Sequence, residues 1–344
     1  MRELLLCALL ASYASALNIT VWRRNEYFFP ETLPPSHASS DGEEIVTLFN
    51  NLGRTTVWKL VEKTHFEGNT YEPEGMVRLG KDRYFVSAGE YTMPTVKYNG
   101  SVINGTDRTA GAGFAHLITF NGQGDRIADA TLTERGAIEY HNGGLDFDGT
   151  WIWATIAQYR PNTTATVVHI DPSTLEPTSL FHANDHLGGI VHDTKTQKLV
   201  TLNWGARNAS TWSTKQRFPQ DPNFSCPIAV ARNPTYFIDY QDCKFLGHSR
   251  YYKGRAVMIC SGVATVGGFN LGGLALVDTE TMIPLAEVPM TMVSDLGVPV
   301  TQNPMDVAVV DGQLRFYFLP DQHNSTLYVY EAKVRSPYEF GGEL

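Results

Sequence analysis

One unit recurs along this chain and constrains its fold more than any other feature. It consists of a turn, a small residue or glycine pair, a short strand, a tight turn and a second strand. Copies are read at 73-PEGMVRLGKDRYFVSAGEY-91, 142-NGGLDFDGTWIWATIAQY-159, 187-LGGIVHDTKTQKLVTLNW-204 and 303-NPMDVAVVDGQLRFYFLPD-321, with a degenerate copy at 243-CKFLGHSRYYKGRAVMICSGV-263. Most are followed by an outer pair of strands, such as 114-FAHLITFNGQGDRIADATL-132, 165-ATVVHIDPSTLEPTSLF-181 or 273-GLALVDTETMIPLAEVPM-290. Two inner and two outer strands make a propeller blade, and the repeat spacing suits such blades. The fold class expected is all-β, a β-propeller of five blades.

The strand 55-TTVWKLVEKTHF-66 precedes the first copy and has no partner within it. We assign it to the outer edge of the last blade, beside 326-TLYVYEAKV-334, which closes the ring and removes an exposed edge. A sixth blade is the alternative if 205–235 contains a short one, but its Pro, Asn and Arg content reads as a long loop over one face. Only 43-EEIVTLFNNL-52 has helical periodicity. The organisation expected is a signal peptide over 1–16, an N-terminal segment over 17–54, the propeller over 55–335 and a tail over 336–344. Gly143-Gly144 and Gly188-Gly189 are read as architecture, small residues where innermost strands crowd the axis.

The N-terminus, 1-MRELLLCALLASYASALNIT-20, combines an early Arg, a short apolar run and the small triplet Ala14-Ser15-Ala16, the pattern of a secretory signal cleaved after Ala16. No stretch reaches the ~18 apolar residues of a membrane span, so stable membrane insertion is not expected. Seven Asn-X-Ser/Thr triplets, at Asn18, Asn99, Asn104, Asn162, Asn208, Asn223 and Asn324, exceed the about two or three that chance would give. Together they predict a lumenal or secreted glycoprotein. Among the cysteines beyond Cys7, the reading favours a Cys226–Cys243 bridge with Cys260 buried as a thiol, and Cys243–Cys260 is the close alternative. A net charge of -9, without a basic stripe, argues against a nucleic-acid partner.

In a propeller, the residues just before the innermost strands and those ending the second strands meet at one mouth of the axis. That mouth gathers Glu74, His141 with Asn142, His186, Asn303, Glu90 with Tyr91, Tyr159, Trp204, Arg207 and Asp321. The opposite turns are plain hydrophilic hairpins. Convergent polar groups on an aromatic lining define a default ligand site. Arg207, His186, His141 and Glu90 are the candidate catalytic groups. Trp204, Tyr140, Tyr159, Tyr91, Glu74, Asn303 and Asp321 are the candidate substrate-binding groups. The plainer alternative gives the histidines to turn backbones and the glutamates to nearby N–H groups. No HExxH, Gly-x-Ser-x-Gly, P-loop or dinucleotide fingerprint is present, and no cofactor is called for. A second reading takes Glu74, Asn142, Asn303 and Asp321 as oxygen ligands of Ca2+ or another divalent ion, as in lactonase-type propellers.

The phrases 73-PEGM-76, 143-GGLDFDG-149, 239-DYQDCKFLG-247, 259-ICSGV-263, 272-GGLALVD-278 and 302-QNPMDV-307 resemble a group of secreted fungal and bacterial proteins that share a domain of unknown function. They are also similar to the fungal hetero-Diels-Alderases of tropolone–sesquiterpenoid (meroterpenoid) pathways. That resemblance implies a cyclase that couples a tropolone- or phenol-derived o-quinone methide with a humulene-type alkene, both small-molecule substrates. It transfers no catalytic residue. A metal-dependent lactonase or ester hydrolase and a non-catalytic ligand-binding propeller are the alternatives.

Overall fold

The computed structural model describes residues 18–53, 55–215, 224–233 and 237–334. The signal-peptide expectation over 1–16, the tail and Asn223 lie outside the described residues. The fold is a five-bladed β-propeller. Blade one runs Glu72–Leu79, Arg83–Met93, Ala112–Asn121 and Arg126–Thr131 from the axis outward. In blade two the innermost strand is broken into His141–Asn142 and Asp146–Phe147, followed by Ile152–Ala157, Ala165–Ile170 and Pro177–Ala183. Blade three is Leu187–Asp193, Lys198–Asn203, Asn208–Ser213 and Ala229–Arg232, and blade four is Asp239–Ser249, Arg255–Val266, Phe269–Asp278 and Pro284–Met290. Blade five takes Met305–Val310, Gln313–Phe318 and Thr326–Val334 from the C-terminal part of the chain and Thr56–His65 from the N-terminal part.

That last pairing closes the ring as the sequence predicts, with Thr56 opposite Val334 and His65 opposite Thr326. Two expectations need correction. The region 205–235, read as a loop, supplies the two outer strands of blade three, Asn208–Ser213 and Ala229–Arg232. Its short polar strands lack the apolar alternation by which strands are recognised. The N-terminal segment is also built into the propeller, since Asn18–Val21 adds a fifth strand to blade one beside Arg126–Thr131. The predicted helix forms over Gly42–Phe49 and buries Ile45, Val46 and Phe49 among side chains of blades four and five.

The cysteine reading is corrected as well. The bridge joins Cys243 to Cys260, and Cys226 is an exposed free thiol. Cys243 and Cys260 stand directly opposite on the two inner strands of blade four, with Cα atoms 4.1 Å apart. Strand register, invisible to cysteine counting, makes them partners.

Glycines let the inner strands meet. A Cβ on Gly75 would lie 2.4 Å from the Leu145 nitrogen, and one on Gly143 would lie 2.4 Å from the Gly188 oxygen. Strands this close cannot pair as sheets around the whole axis, so their inward N–H groups need other acceptors. Asp242, fully buried, meets that need. Its Oδ2 accepts from the Met76 and Met305 amides, each at 3.0 Å, and its Oδ1 accepts from the Leu145 amide at 3.1 Å. Lys244, also buried, donates to Asp242 Oδ1 at 2.6 Å and to the Leu145 carbonyl at 2.7 Å. One carboxylate on blade four thereby joins blades one, two and five. Burial pushes Asp242 up to about 6 against the pull of Lys244 and the amides, so it is ionised at neutral pH.

The buried pair and the bridge can each be tested. Asp242→Ala leaves a buried ammonium without its counter-charge and three axial amides unpaired and is expected to cost about 3–5 kcal/mol in chemical denaturation; Asp242→Ala combined with Lys244→Met should recover part of that loss. Under non-reducing conditions, peptide mapping should find Cys243 linked to Cys260 and Cys226 labelled by iodoacetamide. Removing the bridge, which spans 17 residues, should cost about 3 kcal/mol.

Candidate active site

A cavity of about 360 Å³ opens at the end of the axis where the innermost strands begin. Blade one contributes Glu72 and Glu74, blade two His141 and Tyr159, and blade three His186, Asn203, Trp204 and Gly205. Asp239, Tyr240, Gln241, Val263, Thr265 and Asn270 of blade four and the Gln302-Asn303 turn before blade five complete the wall. Tyr240 and Gln241 lie at the start of the same strand that carries the Asp242 hub, so the frame that locks the axis also forms the cavity floor.

The polar side has unequal members. Glu74 is 7% exposed; Asn303 Nδ2 donates to its Oε2, and His141 Nε2 lies 3.3 Å from its Oε1. Burial opposes a charge on His141, but Glu74 outweighs burial and raises the imidazole above its usual value. His186 is a ring-to-ring 5.3 Å away and behaves oppositely. Burial first, then His141 and Arg108, depress it to about 3. Its Nδ1–H donates to the Gln158 carbonyl at 2.7 Å, which leaves Nε2 as a lone-pair acceptor. That nitrogen faces Gly188, where an added Cβ would sit 3.1 Å away. Burial, then the charge of Glu74, push Glu72 up to about 8, so it keeps its proton at neutral pH. Glu72 is held by the Tyr91 hydroxyl and by Gln322 Nε2 at 2.8 Å. One cavity therefore holds a carboxyl pushed up to about 8, an imidazole raised above its usual value and a second imidazole depressed to about 3, a separation that suits acid–base chemistry.

Aromatic rings back these groups. Tyr159 stacks on His141 at 5.0 Å and meets Trp204 edge-on at 5.4 Å, and Trp204 meets His186 at 4.8 Å. Burial, then the nearby glutamates, push the Tyr159 phenol well above its ordinary value, so it stays a neutral donor. His141 Nδ1 and the Tyr240 hydroxyl are buried and meet no hydrogen-bond partner among the described residues. Such groups in a cavity wall are natural contacts for ligand atoms.

Of the residues singled out from sequence, Glu74, His141, His186, Tyr159, Trp204 and Asn303 line this cavity. The others stand outside it. Glu90 reaches His116 Nε2 at 3.2 Å, and His116 Nδ1 continues to Asp129 at 2.8 Å, so Glu90 belongs to a hydrogen-bonded cluster across the outer strands of blade one. Tyr91 and Tyr140 form a second ring layer behind Tyr159, with Tyr91 5.3 Å from Tyr140 and 5.7 Å from Tyr159. Arg207 donates to the Gly205 carbonyl and, at 2.7 Å, to Asp239, bracing two lining residues from behind. Of the alternative metal set, Asn142 and Asp321 do not line the cavity. Asn142 donates to the His116 carbonyl at 2.8 Å, and Asp321 accepts from Ser294 at 2.5 Å. Among the described residues no group of three or more His, Cys, Asp and Glu is placed to hold a metal ion. The sequons at Asn18, Asn99, Asn104, Asn162 and Asn324 are exposed, and Asn208 is half-buried.

Sequence reasoning passed over Glu72, Asp239 and Arg108. Glu72 gave no signal, because a bulge between Pro73 and Gly75 breaks the i, i+2 alternation that would relate it to Glu74. Arg108 gave none, because it comes from an insertion outside the repeat.

The fold and cavity define a five-bladed β-propeller with acid–base and aromatic groups at one end of its axis. Residues 33–336 match a family of unknown function, DUF6454, and the chain belongs to that family. Solved structures resemble it at low identity. A luciferin-regenerating enzyme is 10% identical, with 81% of this chain and 95% of that one covered at a TM-score of 0.42. The WD40 domain of Toxoplasma gondii coronin is 8% identical, covering 83% and 88% at a TM-score of 0.31. Kuenenia stuttgartiensis hydrazine synthase is 11% identical, covering 60% and 53% at 0.33. No curated protein sequence matches.

The imidazole pair gives a test by NMR titration. His186 should remain neutral well below pH 6.5, and His141 should hold its proton above that value. The signs for stability differ. The unfolded chain binds a proton at His186 before the folded chain does, so this stabilising contribution is lost as pH falls from 6.5 towards 3. The His141 contribution is complete below 6.5 and is lost as pH rises through the raised folded value. Glu74→Gln should bring the His141 midpoint down.

Proposed function

We propose that this propeller is a hetero-Diels-Alderase acting on small molecules along the secretory route. It would couple a tropolone- or phenol-derived o-quinone methide with a humulene-type alkene. The observation that carries this reading is the axial cavity in which the Glu74–His141 pair and neutral His186 lie against Tyr159 and Trp204. The Cys243–Cys260 bridge supports an oxidising compartment.

The residues suit the two halves of the reaction. Starting from a hydroxymethyl precursor, Glu72 gives its proton to the departing hydroxyl while His186 Nε2 takes the proton of the ring hydroxyl. Water leaves and the neutral o-quinone methide forms. The proton on His186 later returns to Glu72 through solvent, so the cycle balances. While on His186, that proton forms a hydrogen bond to the quinone methide oxygen and lowers the diene's acceptor orbital. The alkene then adds across the conjugated C=C–C=O unit, forming one C–C and one C–O bond. Holding both partners against the Tyr159–Trp204 wall supplies much of the acceleration, because an intermolecular cycloaddition is dominated by the entropy of bringing partners together.

The test incubates purified protein with precursor and humulene and resolves the products by chiral chromatography, with chelator present in a parallel run. One enantiomer should exceed the spontaneous background with and without chelator. His186→Ala and Glu72→Gln should each slow turnover about 10²–10⁴-fold. Racemic product at the spontaneous rate overturns the reading. Chelator-sensitive cleavage of lactones would point to the hydrolase, and ligand binding without turnover to a binding module.

A further inference from the structure

Between the second and third strands of blade one the chain leaves the repeat for residues 94–111, a strap held as a small hairpin. Lys97 bridges Arg108 and Ile103 bridges Thr106, with Tyr98 N bonded to Asp107 O at 2.8 Å and Thr109 N to Val96 O at 3.0 Å. Its tip crosses to blade two, where Asn162 Nδ2 donates to the Gly105 carbonyl at 2.7 Å. Its return limb is tied to the ring layer behind the cavity, where the Tyr140 hydroxyl donates to the Ala110 carbonyl at 3.4 Å. Asn99 and Asn104 adopt left-handed backbone at its two tight turns, each followed by glycine.

The strap ends on a specific side chain. Arg108 is only 12% exposed, and its guanidinium is gripped in parallel by Asp107, with Nε to Oδ1 at 2.8 Å and Nη2 to Oδ2 at 3.0 Å. So oriented, it lies 4.7 Å from the centre of the Trp204 ring and 5.7 Å from that of Tyr159. These two rings rest against His186 and His141 respectively. No strap residue lines the cavity itself. Arg108 therefore touches both aromatic walls from outside, one ring removed from each imidazole.

From this geometry we propose that Arg108 is a positioning residue, which through Trp204 and Tyr159 sets the placement of the His186–His141 pair. The inference deepens the reading of this cavity as an active site and rests on it for its catalytic consequence, but the mechanical claim stands on the contacts alone. A planar cation stacked on an indole is attracted to the ring face and offers a flat surface to pack on. Lysine keeps the charge and loses the plane and the paired grip on Asp107. Removing the guanidinium leaves Trp204 and Tyr159 free to tilt, and small displacements of catalytic groups are costly in rate.

The experiment compares Arg108→Gln and Arg108→Lys with the parent protein by two readouts. Acrylamide quenching of Trp204, taken as the difference against matched Trp204→Phe backgrounds, should rise at least twofold in Arg108→Gln and by a similar amount in Arg108→Lys. In the cycloaddition assay kcat should fall about tenfold in both with KM changed less than twofold, and the enantiomeric ratio should erode. Circular dichroism and the thermal midpoint should stay near the parent values, which separates this role from general support of the fold. Unchanged Trp204 quenching overturns the proposal, as does full rescue of quenching and kcat by lysine. If the parent protein shows no cycloaddition, the proposed reaction fails, while the quenching comparison still decides whether Arg108 braces the wall.

Discussion

A single buried carboxylate ties four of the five blades together at the axis. Five innermost strands converge on an axis too narrow for sheet pairing, and their inward amides must find acceptors away from water. Asp242 takes amides from blades one, two and five while sitting on blade four, and Lys244 balances its charge. Blade three is drawn in separately through Asp146, which accepts from the His192 amide at 2.9 Å and the Phe245 amide at 3.3 Å. A buried pair of this kind contributes little net stability, because desolvation offsets much of the attraction, but removing one partner is costly. The glycines at 75, 143 and 144 belong to the same solution, since any side chain there would hold the strands away from the hub.

The hub also divides the axis into two different ends. On the side where innermost strands begin, the cavity carries glutamates, imidazoles and rings. On the other side the N-terminal segment covers the axis. There His37 lies between Asp41 at 2.7 Å and Asp306 at 3.2 Å, and these carboxylates overcome the effect of burial and hold the imidazole up to about 10. At that end His37, Asp41 and Asp306 are matched with one another while Arg78 Nε is buried without a partner, and at the cavity end His141 Nδ1 and the Tyr240 hydroxyl are likewise unmatched among the described residues. Groups with opposed proton affinities in one cavity are what make it the candidate functional site. The chemistry proposed for it uses that asymmetry directly, with Glu72 giving a proton and His186 taking one.

Membership of a family of unknown function leaves the reaction to be argued from the site. A propeller supports many unrelated activities, so fold likeness carries no mechanism. The residues carry the argument here, and several earn roles other than those their types suggest. Arg207, a plausible oxyanion donor by type, holds Asp239 and the Gly205 carbonyl in place. Glu90 serves His116. Arg108, outside any repeat, stacks on the cavity's aromatic wall.

The sequence by itself determined the blade unit, the ring closure by 55–66 against 326–334, the short helix and the gathering of Glu74, His141, His186, Tyr159, Trp204 and Asn303 at one end. These are legible because each depends on local alternation, turn chemistry or position within a repeat, and a repeat converts sequence position into angle around an axis. Only the tertiary structure decided that Cys243 faces Cys260, that 208–213 and 229–232 are strands, that Glu72 rather than Glu90 enters the cavity, and that the proton affinities of His141 and His186 shift in opposite directions. Those outcomes depend on strand register, on bulges such as the one between Pro73 and Gly75, and on burial by side chains distant in sequence. Register and burial are properties of packed neighbours, and a single chain read in order does not carry them.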